Sequence, residues 1–211
     1  LTVTNNLTSC VNHDTVTVTV ITLPLALTGP DVPVCIGDSI QIGDIAVLGN
    51  TYAWSPSIGL SSTSVSNPFA HPTTTTTYTL TETNTLTGCF KVDSVVVTVN
   101  PLPLATVTSD QTICLLQTVS IGAAAVSGNT YSWTPSAGLT NATDANPGAS
   151  PATTTTYVLT ETITATGCFN SDTVTVNVNP LPPANAGIDK AICFGKSVQI
   201  GGGANAGNTY L

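Results

Sequence analysis

One interval governs this chain. The phrase Asn50-Thr51-Tyr52-Ala53-Trp54-Ser55-Pro56 returns 79 residues later as Asn129-Thr130-Tyr131-Ser132-Trp133-Thr134-Pro135, and Asn208-Thr209-Tyr210-Leu211 begins it a third time. Cys35, Cys114 and Cys193 keep the same interval, as do Cys10, Cys89 and Cys168. Aligned without a gap, 24–101 and 103–180 share 42 identities in 78 positions. A repeat of this length must fold as one structural unit and stack on its neighbours, so the period decides the architecture before any local propensity does. The expected organisation is 1–23 as the C-terminal part of a preceding repeat, 24–101 and 102–180 as complete repeats, and 181–211 as the N-terminal part of a following one. Asn100-Pro101-Leu102-Pro103 and Asn179-Pro180-Leu181-Pro182 punctuate the junctions. Proline there predicts short, semi-rigid linkers.

Inside a repeat the period is two. Val174, Val176 and Val178 alternate with Thr and Asn, and so do Val95, Val97, Val99 and Val16, Val18, Val20. This pattern predicts a strand in each, apolar on one face and hydroxylated on the other. Thr156–Thr160 reads as the preceding strand, turning at Ala165-Thr166-Gly167. Val119–Gly122 and Tyr131–Trp133 read as two more strands. Trp54, Trp133, Tyr78 and Tyr157 are the expected core, with Tyr131 on the same face as Trp133. Short strands separated by Gly, Pro and Asn, with no helical period, predict an all-β sandwich in each repeat.

Charge narrows the function. Only 7% of residues are charged, and the net charge is −8 with three basic residues. Nucleic acid is excluded as a partner, because Lys and Arg supply most of that affinity. No apolar run reaches the length of a membrane-spanning helix, and the basic deficit argues against an anionic membrane surface. The chain starts without Met, so it reads as a piece of something longer. Six Cys amid many Thr predict an extracellular, disulfide-permissive setting. No Cys-x-x-Cys pair appears, so neither a metal nor another cofactor is expected.

The residues also carry a resemblance. Pro183-Ala184-Asn185-Ala186-Gly187-Ile188-Asp189, then Gly195-Lys196-Ser197-Val198-Gln199-Ile200, is similar to the opening of polycystic-kidney-disease (PKD) type immunoglobulin-like domains. Tyr-x-Trp and the later Thr-Thr-Tyr-x-Leu-Thr extend it. Trp54 to Leu60 and Trp133 to Leu139 (Trp-x-Pro-x-x-Gly-Leu) resemble tandem repeats of giant Bacteroidota surface proteins. So do Asn67-Pro68, Asn146-Pro147, Gly88-Cys89 and Gly167-Cys168. Gliding-motility adhesins of the SprB type, exported by the type 9 secretion system, are the relatives in view. The PKD Gly-Asp-Gly turn after the Trp is absent. The resemblance implies a rod-like array of immunoglobulin-like (PKD-like) sandwiches at the cell surface, acting as a stalk segment and not as an enzyme. Its implied partners are neighbouring repeats of the same chain, other filament chains or surface polysaccharide. A polysaccharide-binding module, with Tyr52, Tyr131 or the Trp rings as stacking platforms, is the alternative, and spacers beside a secreted catalytic domain are a third reading.

Immunoglobulin-like strand order leaves two disulfide patterns open. It puts Cys114 between the first two strands and Cys168 at the start of the last, at opposite ends of the sandwich. In a head-to-tail array this favours a bridge between repeats, Cys35 to Cys168. Cys10, Cys89, Cys114 and Cys193 would then bridge to repeats beyond this chain. The alternative is Cys35–Cys89 and Cys114–Cys168 within each repeat.

Other candidates compete with plainer roles. Asp followed by Ser or Thr and an aliphatic residue resembles the O-glycosylation sequon of exported Bacteroidota proteins, which marks Thr15, Ser39, Ser94 and Thr173; the same Asp residues would cap turns. Asn6 and Asn141 fit an N-glycan pattern that a bacterial source would leave unused. Glu82 and Glu161 fall on the inward parity of their strand and are expected to escape burial at its end, reaching water or the next repeat. Asp31, Asp110 and Asp189 recur, without the dense oxygen cluster that calcium requires. His13 and His71 do not recur in the complete neighbouring repeats. No catalytic constellation emerges, because every distinctive residue is duplicated at the same offset.

Overall fold

The computed structural model describes residues 1–209, and two compact units divide the chain, Leu1–Pro101 and Leu102–Leu211. Tyr210 and Leu211, the end of the third copy of the opening phrase, lie outside the described residues.

In the first unit, β1 (Thr2–Thr4) and β2 (Val11–His13) form a small antiparallel hairpin. The sandwich follows. Its strands are β3 (Val32–Cys35), β4 (Ile40–Gln41), β5 (Asn50–Ser55), β6 (Phe69–Ala70), β7 (Thr76–Asn84) and β8 (Phe90–Asn100). Four of them form one sheet in the order β3-β8-β7-β5, and β4 pairs with β6 in the second. The first strand runs parallel to the last, with Val32 opposite Val97 and Cys35 opposite Asn100. The other pairs in these two sheets are antiparallel. A first strand laid parallel to the last, with the two sheets closed over one core, is the immunoglobulin-like β-sandwich.

The second unit repeats this with β9 (Gln111–Cys114), β10 (Val119–Ser120), β11 (Asn129–Thr134), β12 (Gly148–Ala149), β13 (Thr155–Ile163) and β14 (Phe169–Asn179). The sheets are β11-β13-β14-β9 and β10-β12. The chain is therefore all-β, with tandem immunoglobulin-like sandwiches.

Period-two alternation builds each core. Tyr78 and Leu80 of β7 and Val95 and Val97 of β8 point inward and are fully buried, beside Trp54, Val34, Ile42 and Ala70. Tyr157, Leu159, Val174, Val176, Trp133, Ile113, Ile121 and Ala149 do the same in the second sandwich. Each buried Val or Leu stabilises by about 1.5–3 kcal/mol. Both indoles satisfy their N–H on a backbone carbonyl: Trp54 Nε1 donates to Val65 and Trp133 Nε1 to Asp144, each at 2.9 Å. The Tyr78 and Tyr157 hydroxyls donate to the carbonyls of Ile58 and Ala137, each at 2.8 Å. Burial pushes both phenols above their ordinary pKa. Tyr131 lies half-buried at the core's rim, its hydroxyl accepting from the Val126 N–H at 2.7 Å.

The Trp-x-Pro-x-x-Gly-Leu motif is a packing device. Gly59 and Gly138 adopt φ of 73° and 80°, and a Cβ there would meet the backbone of His71 or Pro151 at 2.8–2.9 Å. The next residues, Leu60 and Leu139, bridge to Ala70 and Ala149 and pack on the core.

One expected strand does not form. Val16, Val18 and Val20 carry the same alternation as Val95, Val97 and Val99, yet they are exposed and outside any strand. The counterparts of β3 and β5 are not among residues 1–23, and the counterpart of β7 is only Thr2–Thr4. Alternation without a partner sheet makes no strand. Residues 181–209 likewise form no strand and are exposed throughout.

Candidate functional site

Two features recur in each sandwich and are not explained by core packing: a pair of cysteines, and a buried carboxylate.

The cysteines occupy opposite ends of one sheet. Cys35 closes β3 and sits opposite Asn100, the last residue of β8, whereas Cys89 immediately precedes Phe90, the first. Strand β8 has 11 residues, so about 35 Å separates the two cysteines at a rise of about 3.3 Å per residue. Cys114 and Cys168 flank β14 in the same way. A disulfide needs Cα atoms within about 7 Å, so neither sandwich can close its own pair. Cys35 and Cys168 are nonetheless disulfide-bonded. Cys10, Cys89, Cys114 and Cys193 are free thiols, Cys89 half-buried and the other three exposed. With Cys89 and Cys114 free, the intra-repeat alternative is not formed.

The carboxylates correct an expectation. Glu82 and Glu161 do not reach water or a neighbouring repeat; both are 4% exposed. Glu82 Oε2 accepts from the Ala26 N–H at 2.8 Å, and Oε1 accepts from Asn50 Nδ2 at 2.6 Å. Glu161 repeats this with Ala105 at 2.8 Å and Asn129 at 2.7 Å. Two charge-assisted hydrogen bonds compensate the desolvation that would otherwise forbid burial. Ala26 and Ala105 are themselves buried at φ 48°, a left-handed conformation that costs a non-glycine residue about 1–2 kcal/mol. The carboxylate thus clamps a strained bend in the segment that enters each sandwich. Beside it lies a cavity of about 230 Å³ walled by Leu25, Leu27, Ile45, Val47 and Tyr52, and its counterpart around Leu104, Val126 and Glu161 is about 250 Å³. Both fall below the usual range for small-molecule sites, about 300–1,000 Å³.

A second carboxylate distinguishes the repeats. Asp93 Oδ2 accepts from both the hydroxyl and the N–H of Thr28, at 2.8 and 3.1 Å. The Thr28 hydroxyl is the chief reason that the Asp93 pKa lies below its ordinary value. Val107 replaces Thr28 in the second repeat, and Asp172 turns instead to the Thr173 N–H at 2.8 Å. Because the folded pKa is depressed, ionised Asp93 contributes stability above the unfolded-state pKa, and the contribution is lost as pH falls through the lowered value. Thr28→Val should raise the Asp93 pKa toward its ordinary value, lower the stability of the first sandwich at neutral pH and flatten its loss of stability on acidification. Side-chain carboxyl NMR titration checks this, and an unmoved Asp93 would refute it.

The remaining candidates separate cleanly. Asp31 Oδ1 accepts from the Val96 N–H and Asp110 Oδ1 from the Thr175 N–H, each at 2.8 Å. Both tie the incoming chain to the last strand. Asp189 is exposed and outside any strand. Among the described residues no group of three or more His, Cys, Asp or Glu could hold a metal. Thr15, Ser39, Ser94 and Thr173 are all exposed. The Trp rings proposed as stacking platforms are in the core, 4% and 2% exposed.

No known protein-family description matches the chain, and no curated protein does. Solved structures of tandem immunoglobulin domains are similar to it. The titin I67–I69 fragment, an E-to-A variant, aligns at 10% identity with a TM-score of 0.35, over 73% of this chain and 64% of that one. Extracellular domains 3–5 of Drosophila OTK align at 10% identity and TM-score 0.41, over 71% and 59%. Sidekick-1 immunoglobulin domains 1–4 align at 12% and 0.31, over 76% and 53%. The chain thus matches less than two thirds of the length of each.

The buried Glu clamp was missed from sequence although its signal was present. Glu82 shares the inward parity of Tyr78 and Leu80, but its main partner is a backbone N–H 56 residues away.

Proposed function

We propose that this chain is a segment of a long extracellular stalk, built from sandwich repeats at 24–101 and 102–180, with 1–23 and 181–211 belonging to adjoining repeats. In this reading it spaces an adhesive tip from a cell surface and carries tension to it. The observation that carries the proposal is the state of the cysteines. Each sandwich holds its two cysteines at opposite ends of one sheet, yet one cysteine of each position is oxidised. We assign the bond as Cys35 to Cys168, a staple between consecutive repeats. Disulfides favour an oxidising compartment, and a covalent link at every junction suits a load-bearing rod. The gliding-adhesin form of this reading, with type 9 secretion and glycans on Thr15, Ser39, Ser94 or Thr173, rests on the sequence resemblance. Burial of both Trp rings weighs against polysaccharide stacking, and duplication of every distinctive residue weighs against catalysis.

Single-molecule pulling from the two termini tests the proposal. The staple encloses the chain between residues 35 and 168, so unfolding without reductant should release only what lies outside it. Reduction should add roughly 450 Å of contour length, at about 3.3–3.6 Å per residue over about 130 residues. Equal lengths in both conditions would refute the staple. Peptide mapping under non-reducing conditions, with a protease of low specificity, should yield a Cys35–Cys168 peptide; a Cys35–Cys89 peptide would sink the assignment.

A further inference from the structure

We propose that the segment entering each sandwich, 24–30 and 103–109, is a strap that opens as one unit while the sandwich beneath it stays folded. The inference rests on the fold and not on the stalk reading, to which it adds a way for each repeat to lengthen under load.

A strap differs from a strand in what holds it. Among the described residues, 24–30 and 103–109 belong to no strand, so no ladder fastens them. Leu25 and Leu27 of the first and Leu104 of the second are exposed. The residues that are buried are small or compact: Ala26 and Thr28 in the first, Pro103 and Ala105 in the second. Val107 adds a half-buried contact with the second core. The cavities of about 230 and 250 Å³ beside Leu25 and Leu104 leave the straps poorly filled underneath. No member of either buried core cluster lies in a strap, so a sandwich loses no core side chain when its strap lifts. Segments with few buried apolar contacts open locally, well below the free energy of global unfolding.

The fasteners are discrete. In the first strap, the Ala26 N–H donates to Glu82 and Thr28 donates twice to Asp93, while the Thr28 carbonyl accepts from the Gly43 N–H at 2.9 Å. In the second, the Ala105 N–H donates to Glu161, the Pro103 carbonyl accepts from Asn170 Nδ2 at 3.1 Å, and the Thr108 N–H donates to the Ile121 carbonyl at 3.1 Å. Ala26 and Ala105 sit among these bonds at φ 48°. Their strain is released once the bond to the carboxylate breaks, so losing one fastener favours losing the next. Opening also returns water to Glu82 and Glu161 and removes the desolvation that burial imposes. It stops at a fixed point. Asp31 and Asp110 accept from the Val96 and Thr175 N–H groups, and just beyond them β3 and β9 are laddered to β8 and β14. A strap of this length supplies about 25 Å of slack, at about 3.3–3.6 Å per residue.

Native-state amide hydrogen exchange of the full chain, followed by NMR in rising urea below the unfolding transition, tests the proposal. The Ala26, Thr28 and Gly43 N–H groups should share one opening rate constant. They should exchange faster than the slowest amides of β7 and β8, and with a shallower dependence on urea, because a strap exposes less surface than a sandwich. Ala105 and Thr108 should behave in the same way against β13 and β14. Thr28→Val deletes only the hydroxyl bond to Asp93, yet should speed exchange at Ala26 and Gly43 by a common factor. Exchange of these groups only with the slowest strand amides would refute a separate opening. Unrelated rates, or an Ala26 N–H unmoved by Thr28→Val, would refute opening as a unit. None of these outcomes bears on the Cys35–Cys168 bond behind the stalk reading, which peptide mapping decides on its own.

Discussion

Replacing Trp133 with alanine is expected to remove about 3–5 kcal/mol from the second sandwich and to leave the first folded. Trp133 is 2% exposed and packs with Tyr157, Leu159, Val174 and Val176, and its indole N–H is bonded to the Asp144 carbonyl. Truncation opens a cavity and also strips that carbonyl of its donor. A domain of this size holds only about 4–12 kcal/mol in total, at about 0.05–0.15 kcal/mol per residue, so the loss is a large share of its reserve. The chain has two Trp, one in each sandwich. In the variant, Trp fluorescence therefore reports the first sandwich alone, while far-UV circular dichroism reports both. A denaturant titration should show an early transition by dichroism that fluorescence does not see, followed by a shared one. A single coincident transition would mean that the repeats do not unfold as separate units.

The two separate cores were legible in the sequence, because the 79-residue offset places one Tyr-x-Trp and one inward Val pair in each complete repeat. Long strands with clean alternation were legible too: β8 and β14 carry inward Val at every second position, and their geometry follows from the pattern alone. The two-residue strands β6 and β12 were not, since Phe69–Ala70 and Gly148–Ala149 are too short to show a period. Strand β3 was hidden for another reason. It contains Pro33, which argues against a central strand, and β3 lies at the edge of its sheet, where a missing N–H is tolerated. Val16, Val18 and Val20 mark the opposite limit. Their pattern equals that of Val95, Val97 and Val99, but alternation specifies a face and not the sheet that must cover it. The cysteines divide similarly. Their spacing made zinc unexpected, and the immunoglobulin-like strand order favoured a bond between repeats, whereas the distance that separates the two cysteines of one sandwich depends on the length of β8 and on its parallel partner.

Glu161→Leu is expected to cost about 2–5 kcal/mol, close to the loss at Trp133, although no apolar contact is removed. The leucine would leave the Ala105 N–H and the Asn129 amide without their acceptor in a buried setting, at about 1–3 kcal/mol each. It would also remove the carboxylate's hydrogen bond from a bend at φ 48°, which that bond helps to hold against its intrinsic strain. Glu161→Gln should be milder. Its amide oxygen keeps one bond, and the other position is rescued if Asn129 turns its own oxygen toward the new NH₂ group. The first sandwich shows such an oxygen available, since Asn50 Oδ1 is buried without a hydrogen-bond partner. The expected order of thermal stability is therefore wild type, then Gln, then Leu. If Leu matched or exceeded Gln, burial of the side chain rather than its hydrogen bonds would be what the fold requires. Amide hydrogen exchange gives the sharper readout. Protection of the Ala105 N–H should collapse in Glu161→Leu, while the strand N–H groups of β13 and β14 exchange only as fast as the lowered global stability dictates. Uniform loss of protection would instead mean that the carboxylate stabilises the whole sandwich and does not specifically fasten the segment that enters it.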